Sequence, residues 1–175
     1  MAWWWRRHGG WLFALAGLLA VAACSRPEDR PRLRLGDPAP PFTVRDLDGR
    51  PISLTGLAGR PVILRFWSTD CKFCRIDTPV FNRFFDQYRD QGLVVLYVNT
   101  GQTEEEVRAF VQDLAVGFPV VRDPEGDLAQ LFGIKAQPMT LFLDAGHRLR
   151  AAILGGVGEG ELAELVGRLF GARAP

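Results

Sequence analysis

"VILRFWSTDCKFCRIDTP", residues 62–79, holds two of the chain's three cysteines, spaced C-x-x-C. Val62-Ile63-Leu64-Arg65-Phe66-Trp67, opened by Pro61, reads as one apolar run of strand length. A run of that kind suits a strand covered on both faces. A helical pattern follows from about Lys72 to Asp90, and then a second apolar run, "LVVLYV", Leu93 to Val98. Strand, helix and strand at this spacing predict a right-handed βαβ unit in a parallel sheet. The cysteine pair falls where the first strand hands over to the helix.

Outward from this unit, Phe42-Thr43-Val44 and Ile52-Ser53-Leu54 alternate apolar and polar residues around the turn pair Asp48-Gly49, which predicts a β-hairpin. Towards the C-terminus, Thr103 and Glu106 form a capping box ahead of the stripe Val107, Phe110, Val111 and Leu114, and Gly117-Phe118-Pro119 ends that helix. Val120-Val121 reads as a short strand and Glu125 to Phe132 as a short helix. "MTLFLD" (139–144), the Ala145-Gly146 turn and "LRAAIL" (149–154) predict a second hairpin. Glu159 to Phe170 closes the chain as an amphipathic helix with Leu162, Leu165, Val166 and Leu169 inward. The sum is an α/β sandwich around a central mixed β-sheet.

At 175 residues and 47% hydrophobic composition the chain suits one compact domain. Its 21 Lys and Arg face 20 Asp and Glu, and without Arg6 and Arg7 the balance is −1, which argues against a nucleic-acid partner. Those two arginines precede Trp11 to Ala23, an apolar stretch short of the roughly 20 residues that span a bilayer. It ends in Val21-Ala22-Ala23-Cys24, which resembles a bacterial lipobox. Residues 1–23 are therefore expected to be a signal peptide of the lipoprotein type, with Cys24 the lipidated residue; ordinary cleavage and an uncleaved anchor are the alternatives. Residues 24–35, charged and rich in proline, read as a tether, and 36–172 as the folded domain. Export puts the domain where disulfides persist, in the cell envelope facing the periplasm. Ser25 follows Cys24, where Asp would be the residue that retains a lipoprotein at the inner membrane.

Four roles compete for Cys71 and Cys74. Structural zinc needs four ligands, and this pair offers two, with His8 and His147 far off in sequence, so no metal is expected. Covalent haem needs C-x-x-C-H, and Arg75 stands at the histidine position. A static disulfide closing so short a loop constrains the unfolded chain little. Redox chemistry fits the position best, because a helix N-terminus favours a thiolate. Cys71 is then the exposed, attacking cysteine and Cys74 the one that resolves the mixed disulfide.

With these pieces assembled, W-x-x-x-C-x-x-C at the strand–helix junction resembles the thioredoxin superfamily. Within it, "LGDPAPPFTVRDLDGRPISLTGLAGRPVILRFW", "VNTGQTEEEVRAFV" and "GIKAQPMTLFLD" are similar to the exported TlpA/ResA/CcmG-like branch, whose domain is of the redoxin, AhpC/TSA-like kind. The similarity covers roughly residues 35–170. It implies a thioredoxin-like three-layer sandwich with an N-terminal hairpin and an extra helix after the βαβ unit. It also implies a redox-active Cys71–Cys74 disulfide, a cis-proline at Pro138 and a bend that brings the Gln137 backbone beside Cys71 for a partner peptide. Trp67, Gln137 and Pro138 are thus the candidate substrate-side residues, Trp67 as support. Asp77 interrupts the stripe Phe73, Phe81, Phe84 or Phe85, and Tyr88, one turn beyond Cys74. A buried carboxylate there is expected to take the proton of Cys74; an acid facing water at the helix N-terminus is the plainer alternative. Pro79, as is usual in the branch, sits in the helix body, where it should kink the helix.

The implied activity is that of a thiol:disulfide oxidoreductase without a cofactor. In this branch it mostly reduces disulfides of exported proteins, apocytochrome c among them, with electrons from a membrane thiol transporter of the CcdA/DsbD kind. The chain departs from the branch in Asp70, Lys72 and Phe73, where W-C-x-P-C is usual. Asp70 should disfavour the Cys71 thiolate, while Lys72 and Arg75 should favour it. Two alternative activities fit parts of the same sequence. A peroxiredoxin-like thiol peroxidase would use Ser68 near Cys71, though position 64 is Leu where that motif has Pro. A copper-delivery protein on the same fold would need a downstream histidine, for which His147 is the candidate.

Overall fold

The computed structural model of the protein describes residues 33–171. The expected signal segment, the lipidation site Cys24 and most of the tether lie outside these residues. The elements run β1 (Thr43–Arg45), β2 (Pro51–Ser53), β3 (Val62–Trp67), α1 (Lys72–Tyr88), β4 (Val94–Asn99), α2 (Glu104–Asp113), β5 (Val120–Arg122), α3 (Asp127–Leu131), β6 (Met139–Leu143), β7 (Leu149–Leu154) and α4 (Glu159–Gly171). β1 and β2 form a separate antiparallel pair; the other strands make one sheet in the order β5-β4-β3-β6-β7. β3 runs parallel to β4, and β4 to β5, while β6 is antiparallel to β3 and to β7. This is the mixed sheet expected, with the βαβ unit β3-α1-β4 at its centre.

Strand parity divides the core in two. Ile63 and Trp67 of β3 pack with Val95 and Tyr97 of β4 beneath α1, α2 and α4, through Phe81, Phe110, Leu162 and Val166. Val62, Leu64 and Phe66 face the opposite layer, with Leu54 near the hairpin and Leu128 of α3. Successive side chains of a strand alternate faces, so Arg65 shares the side of Ile63 and Trp67 and points under α1. The run Val62–Trp67 is buried throughout, yet not wholly apolar: Arg65 is 0% exposed.

Two expected stripes shift in detail. On α1 the buried residues are Cys74, Asp77, Thr78, Phe81 and Phe84, and Phe73 is not among them. The helix follows a 3.6-residue period from Cys74, so Phe73, one position earlier, rotates out to solvent. On α2 only Val107 and Phe110 are fully buried. That helix stops at Asp113, ahead of Gly117, with Ala115 in the left-handed region at φ 47°. Pro79 lies inside α1, which continues past it to Tyr88.

Candidate active site

β3 ends at Trp67, and the turn Ser68–Asp70 delivers Cys71 to the N-cap of α1. The Cys71 N–H donates to the Ser68 carbonyl at 3.2 Å. Cys71 is half-buried, and its Sγ accepts from the Cys74 N–H at 3.0 Å, as an N-cap side chain does. A 17-residue helix presents its positive dipole end to this sulfur. Cys71 and Cys74 are joined in a disulfide. Cys74 is 0% exposed. The pair is therefore one reachable sulfur backed by one sealed sulfur.

The Gln137–Pro138 peptide bond is cis. Cys71, Lys72, Phe73, Gln137, Pro138 and Leu154 line one open groove. The Gln137 amide donates to Thr100 Oγ1 at 2.7 Å, which ties this loop to the end of β4. Phe73 and Leu154, 53% and 60% exposed, give the groove an apolar rim. Trp67 is absent from that rim. It is sealed in the core, its ring 4.2 Å from Phe110 and 5.8 Å from Tyr97, so it supports the site from beneath and meets no substrate surface.

Directly under Cys74 lies the feature the sequence did not announce. The Arg65 guanidinium reaches Asp77 Oδ2 at 2.7 Å, Thr140 Oγ1 at 2.6 Å and Cys74 Sγ at 3.9 Å, and stacks over the Phe81 ring at 5.0 Å. Asp77 is buried on the side of Cys74, as its spacing implied, and does not face water. It is not a solitary acid, however: its Oδ2 also accepts the Val157 N–H at 2.9 Å. Tyr97 completes the enclosure, 3.4 Å from Thr78 Oγ1, and burial pushes its phenol well above the ordinary value, so it stays neutral. The signal for Arg65 was present but easily overlooked, a basic residue at an inward parity position of a strand otherwise free of charge.

The charges at the rim are arranged otherwise than expected. Arg75 turns away from the cysteines, ion-paired with Asp113 of α2 at 2.7 Å and lying over Phe110 at 5.2 Å. Lys72 and Asp70 are exposed, flanking Cys71. His147 sits in the β6–β7 turn, its Nε2 3.1 Å from the Leu57 carbonyl. The register pairs Val62 with Leu143 and Phe66 with Met139, which puts that turn at the end of the sheet opposite Cys71. His147 and the cysteine pair are not brought together, as the copper-delivery alternative requires. Ser68 adjoins the groove beside Cys71.

Comparison with known proteins agrees with this geometry. The AhpC/TSA family description matches residues 35–152. Thiol-disulfide oxidoreductase ResA of Geobacillus thermodenitrificans is 32% identical over 127 residues, 73% of each chain. ResA of Halalkalibacterium halodurans is 30% identical over 138 residues, 79% of this chain and 78% of that one. Among solved structures, a putative thiol:disulfide interchange protein DsbE from Chlorobium tepidum superposes with a TM-score of 0.73 at 26% identity, covering 78% of this chain and 98% of the other. A half-buried Cys71 joined to a sealed Cys74 at a helix N-terminus, on this sheet and with these relatives, makes the chain a member of the AhpC/TSA family with a thioredoxin-like fold and the activity of a thiol-disulfide oxidoreductase.

Proposed function

We propose that the protein is exported, held at the membrane through a lipid on Cys24, and reduces disulfides in other exported proteins, apocytochrome c among the candidates. The reading of residues 1–24 supports export and tethering. The observation that carries the reaction is the pairing of a reachable Cys71 with a sealed Cys74 beside an open groove with an apolar rim. In the dithiol form, the Cys71 thiolate attacks the substrate disulfide. The substrate S–S bond breaks, a Cys71–substrate bond forms, and the departing sulfur leaves as a thiolate that takes up a proton. Cys74 then gives up its proton and attacks Cys71 Sγ, the internal disulfide forms and the second substrate thiol departs. Two electrons have moved to the substrate. A membrane-embedded thiol carrier of the CcdA/DsbD kind returns them by reducing the Cys71–Cys74 disulfide.

The test is a trap. Cys74→Ser leaves Cys71 bonded to its partner, and mass spectrometry of the adduct identifies it; absence of any mixed disulfide through Cys71 in the native envelope overturns the reading. Cys24→Ala should abolish incorporation of labelled lipid, and unchanged labelling removes the tether.

A further inference from the structure

We infer that Arg65 is the charge partner of the Cys74 thiolate, a positioning residue that holds the resolving sulfur ionised while Asp77 screens it. This rests on the oxidoreductase reading and assigns a role in it to a residue outside the C-x-x-C motif. The step concerned is the second one above: the Cys74 S–H bond breaks, its proton leaves for water, and the anion attacks Cys71 Sγ.

The geometry is specific. Arg65 Nη2 lies 3.9 Å from Cys74 Sγ and 2.7 Å from Asp77 Oδ2, so one nitrogen faces both the carboxylate and the sulfur that reduction of the disulfide would free. Nη1 is anchored on Thr140 Oγ1 at 2.6 Å, and the aromatic face of Phe81 backs the guanidinium. Arg65 is fully enclosed, and among the described residues its Nε has no hydrogen-bond partner. A guanidinium keeps its charge even when buried, and a nearby cation favours a thiolate strongly where water is excluded. The groups that face it are few. Among the described residues, α1 brings Cys74 and Asp77 to it, β6 brings Thr140, and β4 brings Tyr97, kept neutral by burial; Thr78 lies against Tyr97, and the Val157 N–H of the segment after β7 donates to Asp77. Asp77 is the charged group among them. Its Oδ2 already accepts from Arg65 and from Val157, which casts it as a counter-charge that tempers Arg65 and leaves it poorly placed to serve as a free base.

The test needs no substrate. In the full-length chain carrying Cys24→Ala and Cys71→Ser, Cys74 is the single thiol, and the serine imitates a Cys71 that is bonded and uncharged. Thiolate absorbance against pH gives the Cys74 midpoint. Arg65→Gln is introduced in an Asp77→Asn background, so that no carboxylate is left buried without its partner and the fold survives. The expected result is a midpoint at least about 1 pH unit higher than in the same background with Arg65, a tenfold loss of acidity. Arg65→Lys, which keeps charge without the fork, should recover most of the shift. Coincident midpoints with and without Arg65→Gln overturn the inference, and so does an Arg65→Lys variant that titrates together with Arg65→Gln. If the trap at Cys71 succeeds and this titration fails, only the role of Arg65 falls. If the titration succeeds and the trap fails, the charge coupling stands and the assigned reaction does not.

Discussion

Arg65 and Asp77 are a buried ion pair, with side chains 0% and 7% exposed. Such pairs cost desolvation and add little net stability, but losing one partner strands the other in a low dielectric. Arg65→Gln or Asp77→Asn alone should therefore lower the unfolding free energy by about 3–5 kcal/mol, and the double variant by less than the sum. Chemical denaturation of the oxidised protein measures this, and additive losses would show that the two charges act separately. Asp77→Asn also removes the screening charge, so resolution of a Cys71 mixed disulfide should persist to lower pH than in the parent. Slower resolution at every pH would restore the proton-acceptor role expected from spacing alone. Phe73 poses a different question. Its ring stands over Gly156, where an added Cβ would lie 3.0 Å from Phe73 Cδ1, so the absence of a side chain there lets the ring lie close. Being 53% exposed, Phe73 should tolerate Phe73→Ser with a stability change within about 0.5 kcal/mol. The same change should raise KM for a peptide disulfide flanked by apolar residues, read from steady-state turnover; an unchanged KM removes Phe73 from the substrate surface.

Among the elements, α2 and the β6–β7 hairpin show how side chains set boundaries. Thr103 Oγ1 accepts the Glu106 N–H at 3.3 Å, and the Glu106 carboxylate accepts the Thr103 N–H at 2.8 Å. This reciprocal cap starts α2, whose Phe110 packs on Trp67. Thr103→Ala should cost about 1 kcal/mol, measured by thermal or urea unfolding, and leave the Cys71 reaction intact. In the hairpin, Asp144 organises the turn by accepting the Gly146 and Arg148 N–H groups, both at 2.9 Å, and Arg150 Nε at 2.6 Å. Burial by itself pushes its carboxyl up, but the hydrogen bonds from Arg148, Arg150 and Gly146 outweigh it and hold the group below the ordinary aspartate value. A depressed folded-state value stabilises the protein above the unfolded-state value and loses that contribution as pH falls through the folded one. The urea midpoint should thus drop as pH falls through and below the ordinary aspartate range, and drop less steeply in Asp144→Asn. Identical pH slopes would show that Asp144 contributes nothing to acid sensitivity.

At the scale of the whole molecule, one sheet carries two unlike layers. The layer of α1, α2 and α4 holds the site, and Trp67 is its largest fully buried side chain. Trp67→Ala should cost about 3–5 kcal/mol through the cavity it leaves. Because Trp67 ends the strand that leads into the turn presenting Cys71, the same variant should slow attack by Cys71. Calorimetry together with single-turnover reduction tests both; a stability loss with unaltered attack would confine Trp67 to the core.

Local chemistry made much of this legible in advance. Apolar runs, the Asp48-Gly49 turn, the Thr103–Glu106 cap and the C-x-x-C spacing each depend on neighbours within a few residues, so the chain's order displays them directly. Strand and helix positions were accordingly readable to within a residue or two around the site, and so was the pairing of Cys71 with Cys74. What only the tertiary structure decided depends on contacts across long separations. Arg65 meets Thr140 and the Asp77 carboxylate meets Val157 only when β3, α1, β6 and the segment after β7 close on one another. Arg75 is drawn off by Asp113, and His147 is carried to the far end of the sheet by the antiparallel register of β6. Spacing along the chain fixes which residues share a face. Packing alone decides what that face touches, and here it set a cation beneath the resolving cysteine.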